Sequence, residues 1–261
     1  MMLLPPPNPR IASWRQRRVW IIGASSGIGA AVASQLLQQG AQVILSARNQ
    51  AALQQVAATH AAAIVLPLEV SQPAAWQQAW AELEARQALP DLVVFCAADY
   101  RPEHSWDIRA DSVSHTLSTN LAGVYFGLET ILPALMARHG GGIALVASVA
   151  GYVGLPGACV YGPGKAALIN LAELLHAELR QHGIAVYLIN PGFVATRLTA
   201  RNDFTMPALL NTSQAAAHIV RGLERGCFEI HFPFRFTTWI KLLRLLPYRL
   251  RLPLLRRLAR H

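Results

Sequence analysis

Tyr161 and Lys165 stand four apart at the head of a run, Lys165 to Arg180, that reads as a helix. Residues at that spacing share one helix face. An ammonium beside a phenol favours the phenolate, and draws a tyrosine pKa down from about 10 towards working pH. A tyrosine so tuned can give a proton to an alcohol oxygen or take one from it. A bare Y-x-x-x-K is a short motif, and a core tyrosine beside a solvated lysine is spelled the same way. What raises it above that is a second constellation upstream. Val19–Ile22 is a short apolar run, a buried strand, that breaks into Gly23-Ala24-Ser25-Ser26-Gly27-Ile28-Gly29 and then a helical stretch to Gln39. Glycines there let the backbone turn tightly and approach a pyrophosphate. The helix N-terminus adds free N–H groups and a positive dipole.

The elements that must position these residues alternate along the chain. Further apolar runs at Gln42–Ser46, Ala63–Leu68, Asp91–Cys96, Ile143–Ser148, Ile184–Asn190 and Phe228–Phe232 read as strands. Between them lie helical stretches: Asn49–Thr59, one starting at Ser71, a long one broken near Gly123, the Tyr161 helix, and one capped by Thr212 or Ser213 and running to Arg225. Short strands rich in Val, Ile and Leu, alternating with helices, give a mostly parallel sheet covered on both faces. The expected fold is α/β, a Rossmann-like doubly wound sheet in a single domain over residues 19–232. A lead-in of residues 1–18 precedes it and a basic, hydrophobic tail, 233–261, follows it.

Composition bounds the function classes. Of 261 residues, 53% are hydrophobic and 14% charged, enough apolar material for a large core. The net charge of +9 is uneven: from Phe232 onwards there are 8 Lys/Arg and no acid, which leaves the body near neutral. The basic excess therefore belongs to the tail, and a nucleic-acid-binding fold is not indicated. Cys96, Cys159 and Cys227 are far apart and odd in number, which fits a reduced, cytoplasmic setting and offers no metal spacing. No export signal is read at the N-terminus, and no uninterrupted apolar run reaches membrane-spanning length.

Gly-x-x-x-Gly-x-Gly with Tyr161 and Lys165 downstream resembles the classical short-chain dehydrogenases/reductases, from about Val19 to Phe232. That resemblance implies that Tyr161 is the catalytic acid/base, with Lys165 lowering its pKa and holding the nicotinamide ribose. Ser148, thirteen before Tyr161, matches the serine that hydrogen-bonds the substrate carbonyl. Asn120, in Thr119-Asn120-Leu121-Ala122-Gly123, matches an asparagine that supports a water relay to the lysine. Cofactor contacts are implied at Gly23, Ser25, Ser26, Gly27, Ile28 and Gly29, at Glu69-Val70 after the third strand, and at Ala97 after the fourth. Pro191-Gly192-Phe193-Val194-Ala195-Thr196 matches the segment that covers the nicotinamide. There Thr196 and the Val194 backbone would hold the carboxamide.

Cofactor choice is read at the end of the second strand. An acid there binds the 2′-hydroxyl of NAD, and an arginine accommodates the 2′-phosphate of NADP. Ser46-Ala47-Arg48 has no acid and one arginine, so NADP(H) is favoured, with NAD(H) left open. Phe95-Cys96-Ala97-Ala98 departs from the family's Asn-Asn-Ala-Gly, and Glu69-Val70 from its Asp-Val. The family's helix-mediated dimers and tetramers leave a homo-oligomer open, and the apolar tail could take the place of those contacts.

The loop Thr199–Leu210, with Phe204, Met206 and Pro207, falls where the family places its substrate lid. It suits a partly hydrophobic carbonyl or alcohol substrate, lipid-derived ones included. In the tail, Trp239, Leu242, Leu243 and Leu246 would share one helix face with Lys241 and Arg244 opposite, and Arg249, Arg251, Arg256, Arg257 and Arg260 add charge. An apolar face beside a basic one is what lies on anionic lipid. Packing on the body or on a second subunit is the other use of such a face. The expectation is a hydride-transferring oxidoreductase with no metal. The rival is a non-catalytic nucleotide-binding protein on membranes or partners. A sugar-nucleotide epimerase or dehydratase of related fold is disfavoured by the glycine spacing and by the lack of a larger substrate domain.

Overall fold

The computed structural model describes residues 6–58, 60–202 and 204–258. Residues 1–5 of the lead-in, Thr59 at the end of the second helical stretch, and Arg260 of the tail lie outside the described residues. Seven strands form one sheet: β1 (Arg18–Ile22), β2 (Gln42–Ser46), β3 (Ala63–Val65), β4 (Leu92–Phe95), β5 (Gly142–Val146), β6 (Ala185–Pro191) and β7 (Glu229–Phe232). Their order is β3-β2-β1-β4-β5-β6-β7 and every pairing is parallel. A parallel sheet needs cover on both faces, which is why the central strands β4 and β5 are apolar and buried at every position.

Seven helices join and cover these strands: α1 (Gly27–Gln38), α2 (Gln50–Ala57), α3 (Pro73–Ala85), α4 (Ala110–Leu117), α5 (Gly123–Ala137), α6 (Tyr161–Leu179) and α7 (Thr212–Glu224). Strand side chains alternate between two cores. Val19 and Ile21 meet Val32 and Leu36 of α1 and Ile219 and Leu223 of α7. Trp20 and Ile22 point the other way, towards Trp76 of α3, Ile131 of α5 and Leu168 of α6. Trp20 and Trp76 meet edge to face, 5.5 Å between centroids. The Trp20 indole donates to Ser46 Oγ, which donates to the Leu66 carbonyl, so Ser46 is a buried structural residue. Winding reverses between β1 and β4, and the crevice where such folds bind ligands opens beyond the strand C-termini there.

Local chemistry moves some helix starts. Ser71 does not cap α3; Gln72 holds that position and Pro73 opens the helix, while Ser71 donates to Glu69 instead. Asn211, not Thr212 or Ser213, caps α7. Its Oδ1 accepts from the Gln214 amide at 2.8 Å, and the Gln214 side chain accepts from the Asn211 amide at 3.0 Å, a reciprocal capping box. The long central helix is not broken near Gly123. A π turn, Ser118–Ala122, joins α4 to α5, and the joined helix spans 28 residues, long and apolar enough by length and composition to cross a membrane. Val124, Leu128, Ile131 and Leu135 instead face the Trp20 core, which accounts for the apolar content.

The lead-in is tied down. Asn8 is buried and exchanges two hydrogen bonds with the Val186 backbone of β6. Trp14 is buried and donates to Glu224 of α7. At the other end, two more helices follow β7: α8 (Phe234–Leu245) and α9 (Tyr248–Leu258). Ile240 of α8 is buried, and Phe236, Leu243 and Leu255 pack against the core. Leu243 therefore turns inward, while Phe234, Trp239, Leu242 and Leu245 remain exposed.

Candidate active site

Each singled-out segment begins where a central strand ends. Gly23 follows β1, Cys96-Ala97 follows β4, Ser148 follows β5, and Pro191-Gly192 closes β6. Parallel strands deliver all four to one edge of the sheet.

The glycine turn shows why it is spelled with glycine. Gly23 has φ +94°, and a Cβ there would stand 2.6 Å from the Ala97 amide nitrogen. At Gly29 a Cβ would stand 2.2 Å from the Gly23 carbonyl oxygen. No L side chain fits either place. Ser26 is the N-cap residue of α1 but makes no side-chain cap bond. Its hydroxyl instead accepts from Arg197 at 2.9 Å. Ser26 thus leaves the first-turn amides of α1 uncapped, at the place where a helix N-terminus can hold an anion. Thr196 lies over the turn, since a Cβ on Gly27 would meet its methyl at 3.3 Å. Thr199 fixes that segment, accepting from the Thr196 amide at 2.9 Å and donating to the Val194 carbonyl at 2.6 Å.

Tyr161 and Lys165 occupy the first turns of α6. Lys165 is only 2% exposed. Its ammonium donates to the Val146 carbonyl at 2.7 Å and lies 5.4 Å from the Tyr161 ring centroid. Gly151 permits this packing, because a Cβ there would be 2.7 Å from the Lys165 carbonyl carbon. Ser148 caps the short turn Val149–Gly151, with its oxygen accepting from the Ala150 amide at 3.2 Å. It also interacts with the Tyr161 phenol. Ser148, Tyr161 and Lys165 therefore converge.

Their proton affinities differ from the simplest expectation. Burial pushes the Tyr161 phenol above its ordinary value, and the Ser148 hydroxyl pulls it part of the way back. The largest downward influence on the phenol is thus the serine. Burial draws Lys165 down to about 8, against a smaller upward pull from Cys96. An enclosed site favours the neutral form of both groups.

Asn120 is buried in the π turn with both ends of its amide engaged. Its Oδ1 accepts from the Asp99 amide at 2.6 Å, and its Nδ2 donates to the Asp99 carbonyl at 2.8 Å. It thereby anchors the segment after β4 that carries Ala97. Arg48 is exposed, with Nε 3.7 Å from Glu69 Oε2. The other Glu69 oxygen accepts from the Ser71 amide and hydroxyl. Val70 is buried, and its carbonyl accepts from the Trp76 indole at 3.0 Å.

Two neighbours have no site role in the sequence reading. Tyr100 meets the Tyr161 ring edge to face at 5.0 Å, and its hydroxyl donates to Asn202 of the lid at 2.7 Å. Arg201 donates to the Tyr100 carbonyl and lies 3.8 Å from Asp99. The loop expected to be the lid is thus tied, through Tyr100, to the Tyr161 ring. Cys96 is the second: burial raises its thiol to about 11, and Lys165 is the largest opposing influence. The Cys96-for-Asn departure was the available signal. Among the described residues, no three His, Cys, Asp or Glu could hold a metal ion.

Comparison with known proteins bears on the family and the fold. The model of the short chain dehydrogenase family matches residues 17–206. The chain belongs to the short-chain dehydrogenase family. An uncharacterized oxidoreductase of Myxococcus xanthus is 32% identical over 241 residues, covering 91% of this chain and 95% of its own. Among solved structures, a short-chain dehydrogenase/reductase of Burkholderia phymatum in complex with NAD superposes with a TM-score of 0.80 at 23% identity, covering 89% of this chain and 94% of its own. A short-chain dehydrogenase of Sphingobium yanoikuyae in complex with NADPH gives 0.79 at 24%, covering 87% and 92%. The structural likenesses bear on the fold, a single α/β domain with a Rossmann-like sheet.

Proposed function

We propose that this short-chain dehydrogenase transfers hydride between a nicotinamide cofactor and a carbonyl or alcohol carbon, with NADP(H) preferred. The observation that carries the reading is the convergence of Ser148, Tyr161 and Lys165 at the strand edge that also holds the glycine turn. The cofactor supplies the hydride. The residues fit its parts: α1 amides for the pyrophosphate, Val194 and Thr196 for the carboxamide, and Lys165 for a ribose hydroxyl. In carbonyl reduction Ser148 would donate a hydrogen bond to the oxygen and steady the charge that develops there. Tyr161, which burial keeps protonated through neutral pH, would deliver the proton. Oxidation of an alcohol runs these steps backwards.

The NADP preference rests on Arg48, exposed at the end of β2 with no acid between it and Ser46. Its ion pair with Glu69 is long, at 3.7 Å through Nε, which leaves guanidinium donors for a 2′-phosphate. Phe193 and Phe204, 5.6 Å apart, give the lid side an apolar lining suited to a hydrophobic substrate. The reading extends to location. Phe234, Trp239 and Leu245 are exposed beside Arg235 and Arg244, a combination that fits the anionic inner face of a membrane. NADPH consumption across ketones and aldehydes tests the reaction. Turnover in the wild type and loss of about a hundredfold or more in Tyr161→Phe are expected. Undiminished turnover in that variant would refute the assigned roles.

A further inference from the structure

Glu229 opens β7 and carries a charge that the reaction above does not use. Its side chain is 22% exposed. The carboxylate accepts from three donors on three different segments. Asn190 Nδ2 donates to Oε1 at 2.9 Å, the Tyr152 hydroxyl donates to the same oxygen, and the Lys241 ammonium donates to Oε2. Burial alone would raise the pKa of this carboxyl, but the bonds from Lys241, Tyr152 and Asn190 outweigh it and hold it below the ordinary range. The group is therefore a firmly ionised hub.

The three donors stand at telling places. Asn190 is fully buried and immediately precedes Pro191-Gly192, the segment assigned to cover the nicotinamide. Tyr152 is buried four residues after Ser148, at the end of the turn that Ser148 caps. Lys241 reaches in from α8, and its ammonium lies 5.8 Å from the centre of the Tyr152 ring. Packing reinforces the same junction. A Cβ on Gly192 would stand 3.1 Å from the Phe236 ring, and Phe236 lies 5.7 Å from Phe193. The inner face of α8 is thus a wall of the candidate active site, while Trp239 on its other side faces out.

We propose that Glu229 is a positioning residue: through Asn190 and Tyr152 it aligns the two segments that flank the reacting centre, and through Lys241 it makes that alignment depend on α8. The assignment rests on the hydride-transfer reading above. Its plain alternative is a fold staple, whose loss lowers the melting temperature and nothing else. The two are separable in the full chain by measuring kcat, KM, the NADPH dissociation constant by fluorescence titration, and the melting temperature.

Glu229→Gln and Lys241→Met are each expected to lower kcat/KM and weaken NADPH binding by about five- to tenfold, a range typical of coupled sites. These losses should persist well below the melting temperature, and Lys241→Arg should restore most of what Lys241→Met loses. Folded variants with wild-type kcat, KM and NADPH affinity would overturn the assignment. So would losses that vanish on cooling the assay away from the melting transition. A wild-type protein that binds NADPH but reduces no carbonyl would count against hydride transfer alone; the NADPH titrations of the same variants would still decide the role of Glu229.

Discussion

Lys165 is 2% exposed and Trp239 is 70% exposed. The crest of the candidate active site, at the strand ends, encloses an ammonium and an asparagine amide, whereas α8 and α9 leave Phe234, Trp239, Leu245 and Tyr248 facing out. Ordinary partition would reverse both. Enclosing the lysine costs stability, and so does leaving the aromatic residues wet. The crest offsets only part of its cost, with Lys165 donating to the Val146 carbonyl. The outer face of α8 leaves Trp239 and Leu245 to solvent. The two regions thus depart from ordinary partition in opposite directions, one by burying a charge and the other by exposing apolar rings. Glu229 joins the two, since the same α8 that exposes Trp239 inserts Lys241.

The sharpest way to break this contrast is Lys165→Met. Its folded pKa of about 8 lies below the ordinary 10.5, so the unfolded chain holds the proton more tightly. The penalty is complete below pH 8, on the order of 3 kcal/mol, and fades as pH rises towards 10.5. Lys165→Met should therefore lower kcat/KM by about a hundredfold or more. It should also melt higher than wild type at pH 7, with the gain reduced by the bared Val146 carbonyl and absent near pH 10.5. A lower melting point at pH 7 would make the lysine structural.

Next in size is Gly23→Ala. With φ +94° and the Ala97 nitrogen 2.6 Å from a new Cβ, the turn must open. NADPH affinity should fall roughly tenfold or more, with a melting temperature lower by several degrees. Wild-type affinity would show that the turn is not the phosphate cradle. Arg48→Asp should reduce the kcat/KM preference for NADPH over NADH by about tenfold, the worth of one charge-assisted hydrogen bond. An unchanged preference would move 2′-phosphate recognition elsewhere. The smallest effects belong to the exterior. Trp239→Glu with Leu242→Glu should weaken binding to anionic vesicles severalfold, while melting temperature and turnover of a water-soluble carbonyl stay put. Equal binding would assign that face to a protein partner.

Much of the crest was legible because its constraints are local. A tight turn needs glycine at 23 and 29, and a helix brings 161 and 165 to one face. The sheet was legible because strands buried on both faces are spelled in Val, Ile and Leu. The parts that escaped depend on residues distant in the chain. Asn8 reaches Val186, Tyr100 reaches Asn202, and Lys241 reaches Glu229. Helical periodicity grouped Leu243 with Trp239, yet the core decides that Leu243 turns in. The phenol's proton affinity also needed coordinates. Spacing foretells a neighbouring ammonium, but burial acts on Tyr161 more strongly than any neighbour.

The central claim is that a phenol, a serine and a lysine at the strand edge serve hydride transfer. It is tested most directly with NADPH deuterated at the transferring C4 position, mixed with enzyme and a panel of ketones and aldehydes in single turnover. The account expects deuterium on the product carbinol carbon, a primary isotope effect on NADPH decay, and loss of both in Tyr161→Phe. NADPH that binds yet passes no deuterium to any carbonyl, or passes it equally well without the Tyr161 hydroxyl, would contradict it.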